Sequence, residues 1–118
     1  MTNRDVLDPA VVESLRQLTP PGEPDVLAEV LRLFVDEVPR RVERLTAAWL
    51  AGNAVELQRA AHSLKGSSGN IGAHHMYEIC KQLDERGKAA DFNGARHLLD
   101  SLAEEYARVE AEIQLLLR

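Results

Sequence analysis

Between Arg59 and Gly69 the chain sets a histidine, two cations and two glycines at spacings that fall on one face of a helix. Counted from His62, Arg59 lies three residues before, Lys65 three after, Gly66 four after and Gly69 seven after, and helical residues at these separations stand one above another. Histidine ordinarily titrates near ~6.5, so a neutral ring with a free nitrogen exists around neutral pH and can attack phosphorus without a separate base. The product would carry about two negative charges. Lys65, one turn along, can offset them, and Arg59 can assist from the other side. A glycine inside a helix costs ~1 kcal/mol relative to alanine, so Gly66 and Gly69 must answer to something other than folding. Bare backbone beside a nucleophile leaves a hollow for the rim of another protein's active site. Ser67, between them, is counted with Arg59, Gly66 and Gly69 as a docking position.

These residues need a helix whose opposite stripe is buried. Leu57, Ala61, Leu64, Ser68 and Ile71 supply that stripe, which stops at Gly72, so the chemical face lies beside the core and not in it. Asp8 as N-cap and Pro9 at the first helical position open a short helix over roughly Pro9 to Leu18, and the Pro-rich stretch Thr19 to Pro24 reads as a loop. From Asp25 the apolar residues Leu27, Leu31, Phe34, Val38, Val42, Leu45 and Trp49 mark a second helix that Pro39 must kink or break and Gly52-Asn53 closes. Met76, Ile79, Cys80 and Leu83 mark a helix ending near Gly87. Asp91 caps the last one, with the stripe Leu99, Leu102, Tyr106, Val109, Ile113 and Leu116. Gly22, Gly52, Gly72, Gly87 and Gly94 fall near joints, where backbone freedom accounts for them. The expected fold is all-α, an antiparallel four-helix bundle over 25–118 preceded by a short N-terminal helix and loop over 1–24, one domain overall.

Composition narrows the functions open to such a bundle. With 118 residues there is room for one domain, and a formal charge of −5 offers no global basic field for a nucleic-acid backbone. The single cysteine, Cys80, excludes an internal disulfide and fits a reducing compartment. No apolar stretch approaches the ~20 residues a bilayer needs, and the first five residues hold no apolar signal segment, so a soluble, cytoplasmic protein without membrane insertion is expected. His74, His75 and His97 lack the pairing a metal site needs, since adjacent His74 and His75 point about 100° apart on a helix. Ser67 and Ser68 have no nucleophile elbow or base around them. Nothing in the chain resembles a Gly-rich phosphate loop, so no ATP chemistry is expected.

The run Ala61-His62-Ser63-Leu64-Lys65-Gly66-Ser67-Ser68-Gly69-Asn70-Ile71-Gly72-Ala73 resembles the phosphoryl-accepting helix of histidine-containing phosphotransfer (HPt) domains, and the likeness extends over roughly Asp25 to Leu117. The resemblance implies a phosphocarrier, not an enzyme. His62 would take a phosphoryl group from a receiver-domain aspartate and pass it to another, in a multistep relay of two-component signalling. It also implies Lys65 as charge partner, Gly66 as the point of close approach, a hybrid sensor kinase and response-regulator receiver domains as partners, no cofactor on this chain, and Mg²⁺ on the receiver. The chain is expected to act as a monomer. If the third and fourth helices form a hairpin about Gly72, Gln82 to Asp84 lie as far past the turn as His62 lies before it. Asp84 can then accept a hydrogen bond from the ring nitrogen that carries no phosphate. Two other readings fit the sequence less well. The histidine-bearing hairpin of a sensor kinase typically has an acidic residue after the histidine and a later proline, where this chain has Ser63 and no proline after Pro39. A pure docking bundle would not need the intact set His62, Lys65 and Gly66.

Overall fold

The computed structural model describes residues 6–118, so the first five residues of the expected N-terminal segment lie outside the description. Its elements are α1 (Pro9–Gln17), α2 (Val26–Leu50), α3 (Ala54–Asn70), α4 (His74–Lys88) and α5 (Phe92–Leu116), with no strand among the described residues. Four of the five helices begin on a side chain that accepts from the first turn. Asp8 takes Ala10 N–H at 2.9 Å, Asp25 takes Leu27 at 3.0 Å, Asn53 takes Glu56 at 3.1 Å and Asp91 takes Gly94 at 2.9 Å. Each bond satisfies a donor that the helix ladder leaves open.

Successive helices pack on one another, and α5 returns to α2, closing a four-helix ring with α1 laid against α2. The core is aliphatic, with Leu31, Leu45, Leu57, Leu64, Ile71, Met76, Leu83, Leu102 and Ile113 all sealed from solvent. Burying a side chain of this size contributes about 1.5–3 kcal/mol each, which is what holds the four amphipathic faces together. No helix among the described residues is long and apolar enough to cross a membrane.

Four local features differ from the sequence reading. First, α2 runs unbroken through Pro39. A proline removes one rung of the ladder, but Phe34 and Val38 before it and Leu45 after it are all buried in the same core and hold both halves in place. Second, Gly87 is inside α4. The left-handed residue that ends the helix is Ala90, at φ 53°, and Asp91 N–H closes back on Arg86 at 2.9 Å. Third, Gly94 does not have a positive φ either. It is small because a Cβ there would press on the carboxylate of Asp91 that caps the helix. Fourth, the inner face of α5 is Ala95, Leu98, Leu102, Glu105, Val109 and Ile113, while Leu99, Tyr106 and Leu116 flank it. Glu105 was unreadable as an inner residue by hydropathy. Its Oε1 accepts from Arg108 Nη2 at 2.9 Å and Nε at 3.0 Å, which makes burial of a carboxylate tolerable.

The turn Ile71-Gly72-Ala73 sets the hairpin that matters for function. Gly72 adopts φ 75°, and Ala73 N–H bonds back to Ser68 O at 2.9 Å. A Cβ on Gly72 would also lie 2.9 Å from Val11 Cβ and 3.1 Å from Asp8 N, so glycine is required there twice over. The start of α1 is pinned to this turn, with Asp8 N–H donating to Gly72 O at 2.9 Å and Asp8 Oδ2 meeting His74 Nε2 at 2.8 Å.

Candidate functional site

On α3, the buried stripe Leu57, Ala61, Leu64 and Ser68 turns the neighbouring stripe, Gln58, His62 and Lys65, toward the seam with α4. On α4, Asp84, Gly87 and Lys88 occupy the facing stripe, three and four residues apart. The two backbones come so close that a Cβ on Gly87 would lie 2.8 Å from Gln58 N and Cα. That proximity lets the short side chain of Asp84 reach across.

Asp84 is 2% exposed, while the His62 ring is 65% exposed. Oδ1 of Asp84 accepts from Gln58 Nε2 at 2.7 Å and lies 3.9 Å from Lys88 Nζ; Oδ2 accepts from Lys65 Nζ at 3.3 Å and faces His62 Nδ1 at 3.4 Å. Burial by itself pushes the Asp84 carboxyl upward. The bonds from Gln58, His62 and Lys65, with the charge of Lys88, outweigh it and hold the carboxyl below its ordinary range. An ionised carboxylate can only accept, so the His62 nitrogen facing it is the one that carries hydrogen. Nε2 is then the ring atom with a free lone pair. This arrangement can deliver a solvent-accessible nitrogen nucleophile with its other nitrogen backed by a buried anion.

The remaining expected site residues sit as follows. Lys65 reaches Asp84 and is 23% exposed, so its charge faces the seam. Gly66 is exposed, and a Cβ on it would meet nothing within 4 Å. Its smallness therefore leaves open surface next to His62 and serves no packing among the described residues. Gly69 is different, with Tyr77 Cδ2 3.4 Å from the position of its missing Cβ, an ordinary packing contact. Arg59 pairs with Glu56 at 3.2 Å on the exposed side of α3. Ser67 accepts from Arg41 Nη1 at 2.9 Å, and Arg41 in turn holds Glu37 at 2.7 Å, so this side chain is tied to α2.

Sequence reading missed Gln58, Lys88, Gly87 and Arg41. Gln58 stands four residues before His62 and Lys88 four after Asp84, so helical spacing placed them on the right stripes; no single-helix pattern shows which stripes face each other.

Most of the other reactive side chains are otherwise engaged. Ser68 Oγ donates to Leu64 O at 2.7 Å inside the core. Burial pushes the Cys80 thiol up to about 12, against a smaller opposing effect of Ser68, so it stays protonated. His74 bonds Asp8, whereas His75 and His97 line a groove between α4 and α5.

Residues 29–112 match the Hpt domain family. Histidine-containing phosphotransfer protein 2 of Arabidopsis thaliana is 27% identical over 103 residues, covering 85% of this chain and 66% of the relative, so the chain spans about two thirds of that protein. Histidine-containing phosphotransfer protein 1 of Oryza sativa subsp. japonica is 28% identical over 109 residues, covering 90% of this chain and 74% of the relative. Among solved structures, histidine-containing phosphotransfer protein B (HptB) of Pseudomonas aeruginosa PAO1 superimposes with a TM-score of 0.89 at 30% identity, covering 98% of this chain and 96% of that one. ZmHP2 from maize shares the fold, with a TM-score of 0.82 at 24% identity over 95% of this chain and 87% of that one.

Proposed function

The chain belongs to the Hpt domain family, and from that premise we propose that His62 carries the phosphoryl group, taking it from an aspartate of one receiver domain and giving it to an aspartate of another in a multistep phosphorelay. The observation that carries this reading is the exposed His62 ring, backed at Nδ1 by the buried, ionised Asp84.

In the accepting step the Nε2 lone pair attacks the phosphorus of the receiver's acyl phosphate. The P–O bond to the aspartate breaks, and its electron pair leaves on the aspartate as a carboxylate. Nδ1 keeps its hydrogen, so no base has to remove a proton and the N-phosphorylated ring is a cation. Asp84, 3.4 Å from Nδ1, stabilises that cation. In the donating step a carboxylate oxygen of the second receiver attacks phosphorus, the N–P bond breaks and its electron pair returns to Nε2. Lys65, at 3.3 Å from Asp84, is the charge partner that keeps the buried carboxylate from repelling the incoming phosphoryl group. Gly66 is the point of close approach for the receiver, with Gly69, Arg59 and Ser67 along the same helix contributing to the docking surface.

On this reading the chain is a monomeric cytoplasmic phosphocarrier with no kinase activity of its own. The donor receiver belongs to a hybrid sensor kinase, the acceptor to a response regulator, and Mg²⁺ resides on the receiver. The test is incubation with phosphorylated receiver domains, followed by assay of the transferred label for acid lability and alkali stability. Label is expected on the parent chain, none on His62→Gln, and none from ATP alone. Retained label in His62→Gln would move the acceptor to His74, His75 or His97, and incorporation from ATP alone would make the chain a kinase.

A further inference from the structure

We infer that Gln58 is a positioning residue for phosphotransfer: by anchoring one oxygen of Asp84 it aims the other at His62 Nδ1, and so keeps Nε2 the unprotonated ring nitrogen. The inference rests on His62 being the phosphoryl acceptor.

The His62 ring has almost two thirds of its surface in water, so packing does little to fix it. Its tautomer is decided by what Nδ1 meets, and what Nδ1 meets is Oδ2 of Asp84 at 3.4 Å, a long contact that a small rotation of the carboxylate would abolish. Three cationic or ring nitrogens stand at 3.3 Å or beyond from Asp84; among the described residues only Gln58 Nε2, at 2.7 Å from Oδ1, makes a short bond. Lys88 is 64% exposed and 3.9 Å away, too loosely held to define the carboxylate plane in place of Gln58. The backbone under Gln58 is itself fixed, because Gly87 of α4 lies directly against it. Gln58 thus connects the tightest point of the α3–α4 seam to the orientation of the nucleophile. Without its N–H donor, Oδ1 is left to Lys88, the carboxylate is free to turn, and the ring can take up the Nε2–H tautomer, which has no lone pair facing the receiver.

The experiment uses the full chain as Gln58→Met, Gln58→Lys, Asp84→Leu and the double variant Gln58→Met/Asp84→Leu. Gln58→Met keeps the shape and removes the donor; Gln58→Lys keeps an N–H donor and serves as the rescue. Two readouts are taken. The first is the imidazole ¹⁵N shifts of His62 in mildly alkaline solution without any receiver, which report the tautomer. The second is the transfer rate from a phosphorylated receiver domain as a function of its concentration. Gln58→Met is expected to move the ring toward Nε2–H and lower the saturating rate about tenfold, the equivalent of ~1.4 kcal/mol on the barrier. The half-saturating receiver concentration stays unchanged. Gln58→Lys retains the parental tautomer, and in the Asp84→Leu background Gln58→Met costs nothing further, because there is no carboxylate left to aim. The inference is overturned if the tautomer of Gln58→Met is parental, if the change falls on half-saturation instead of rate, or if the loss persists in the Asp84→Leu background. Should the parent chain accept no phosphoryl group, the proposed function fails; the tautomer readout needs no receiver and still reports on Gln58 separately.

Discussion

A Cβ added to Gly66 would meet nothing within 4 Å, whereas one added to Gly87 would lie 2.8 Å from the backbone of Gln58. Both glycines sit inside helices, Gly66 in the middle of α3 and Gly87 one residue from the end of α4, and the sequence separates them only by assigning Gly87 to a joint whose backbone freedom it does not use. The surroundings tell them apart. Gly87 is small because this chain's own α3 fills the space, and Gly66 is small although nothing among the described residues asks for it. A helical glycine with empty space above it therefore points outward, to a partner, and one with backbone above it points inward, to packing.

The sharpest way to break this contrast is Gly87→Ala. Overpacking against backbone costs about 1–3 kcal/mol, which outweighs the gain of up to ~1 kcal/mol in helix propensity. The variant is expected to melt lower and to transfer more slowly, since the seam that aims Asp84 is spread. An unchanged melting temperature would remove the distinction. Gly66→Arg should do the reverse, folding normally while transfer falls by about tenfold or more, the equivalent of ~1.4 kcal/mol lost from the encounter. Gly66→Gln should fall between Gly66→Arg and the parent. Equal transfer across this series would mean that the receiver approaches from another side. Lys65→Ala lies on the seam next to both regions and is expected to slow transfer or shorten phosphohistidine lifetime several-fold without abolishing either, because it supplies charge and not the bonding atom. Parental behaviour in both measurements would sink its assigned role. Gly66→Ala should raise the melting free energy by up to ~1 kcal/mol, the only one of these changes that stabilises.

The smallest effect is a pH dependence confined to the seam. The Asp84 carboxyl is held below its ordinary value of 3.8, so its stabilising contribution is complete above that pH and is lost as the pH falls through the lower folded-state value. Asp84→Asn does not titrate. The gap in melting temperature between the parent and Asp84→Asn is therefore expected to be constant at neutral pH and to close only below about 3.8, whereas a gap that closes near neutrality would assign it to another group.

The caps and breaks were legible one residue at a time. Asp8 and Asp91 cap the helices that follow as their positions foretell, and Gly52 and Gly72 take the positive φ their joints require. These are local rules and need no knowledge of the partner helix. His62, Lys65 and Gly66 were legible because one helix carries all three, and Asp84 because a hairpin folds back by counting. What could not be read depends on how two helices are rotated and how near they come. Leu98 or Leu99 alone satisfies the same periodicity on α5, and only packing against α2 and α4 selects Leu98 for the interior. Gln58 reaches Asp84 because Gly87 lets the two backbones come together, and Arg41 reaches Ser67 across 26 residues of chain. Pro39 does not break α2 for the converse reason, a local rule offset by the tertiary burial of Val38 and Leu45.

Gln58, His62, Lys65 and Asp84 all belong to the single hairpin closed by Ile71-Gly72-Ala73, and that has a kinetic consequence. Closing so short a loop costs little chain entropy, and helical proteins dominated by contacts between sequence neighbours fold in microseconds to milliseconds. The α3–α4 hairpin is therefore expected to form the folding nucleus, with α1 arriving late. Refolding chevrons test this order: Leu64→Ala should mainly slow folding, and Val12→Ala should mainly speed unfolding, the reverse pattern placing the nucleus elsewhere. With that order, a chain caught partway through refolding already holds its nucleophile against its carboxylate before the bundle around them is complete.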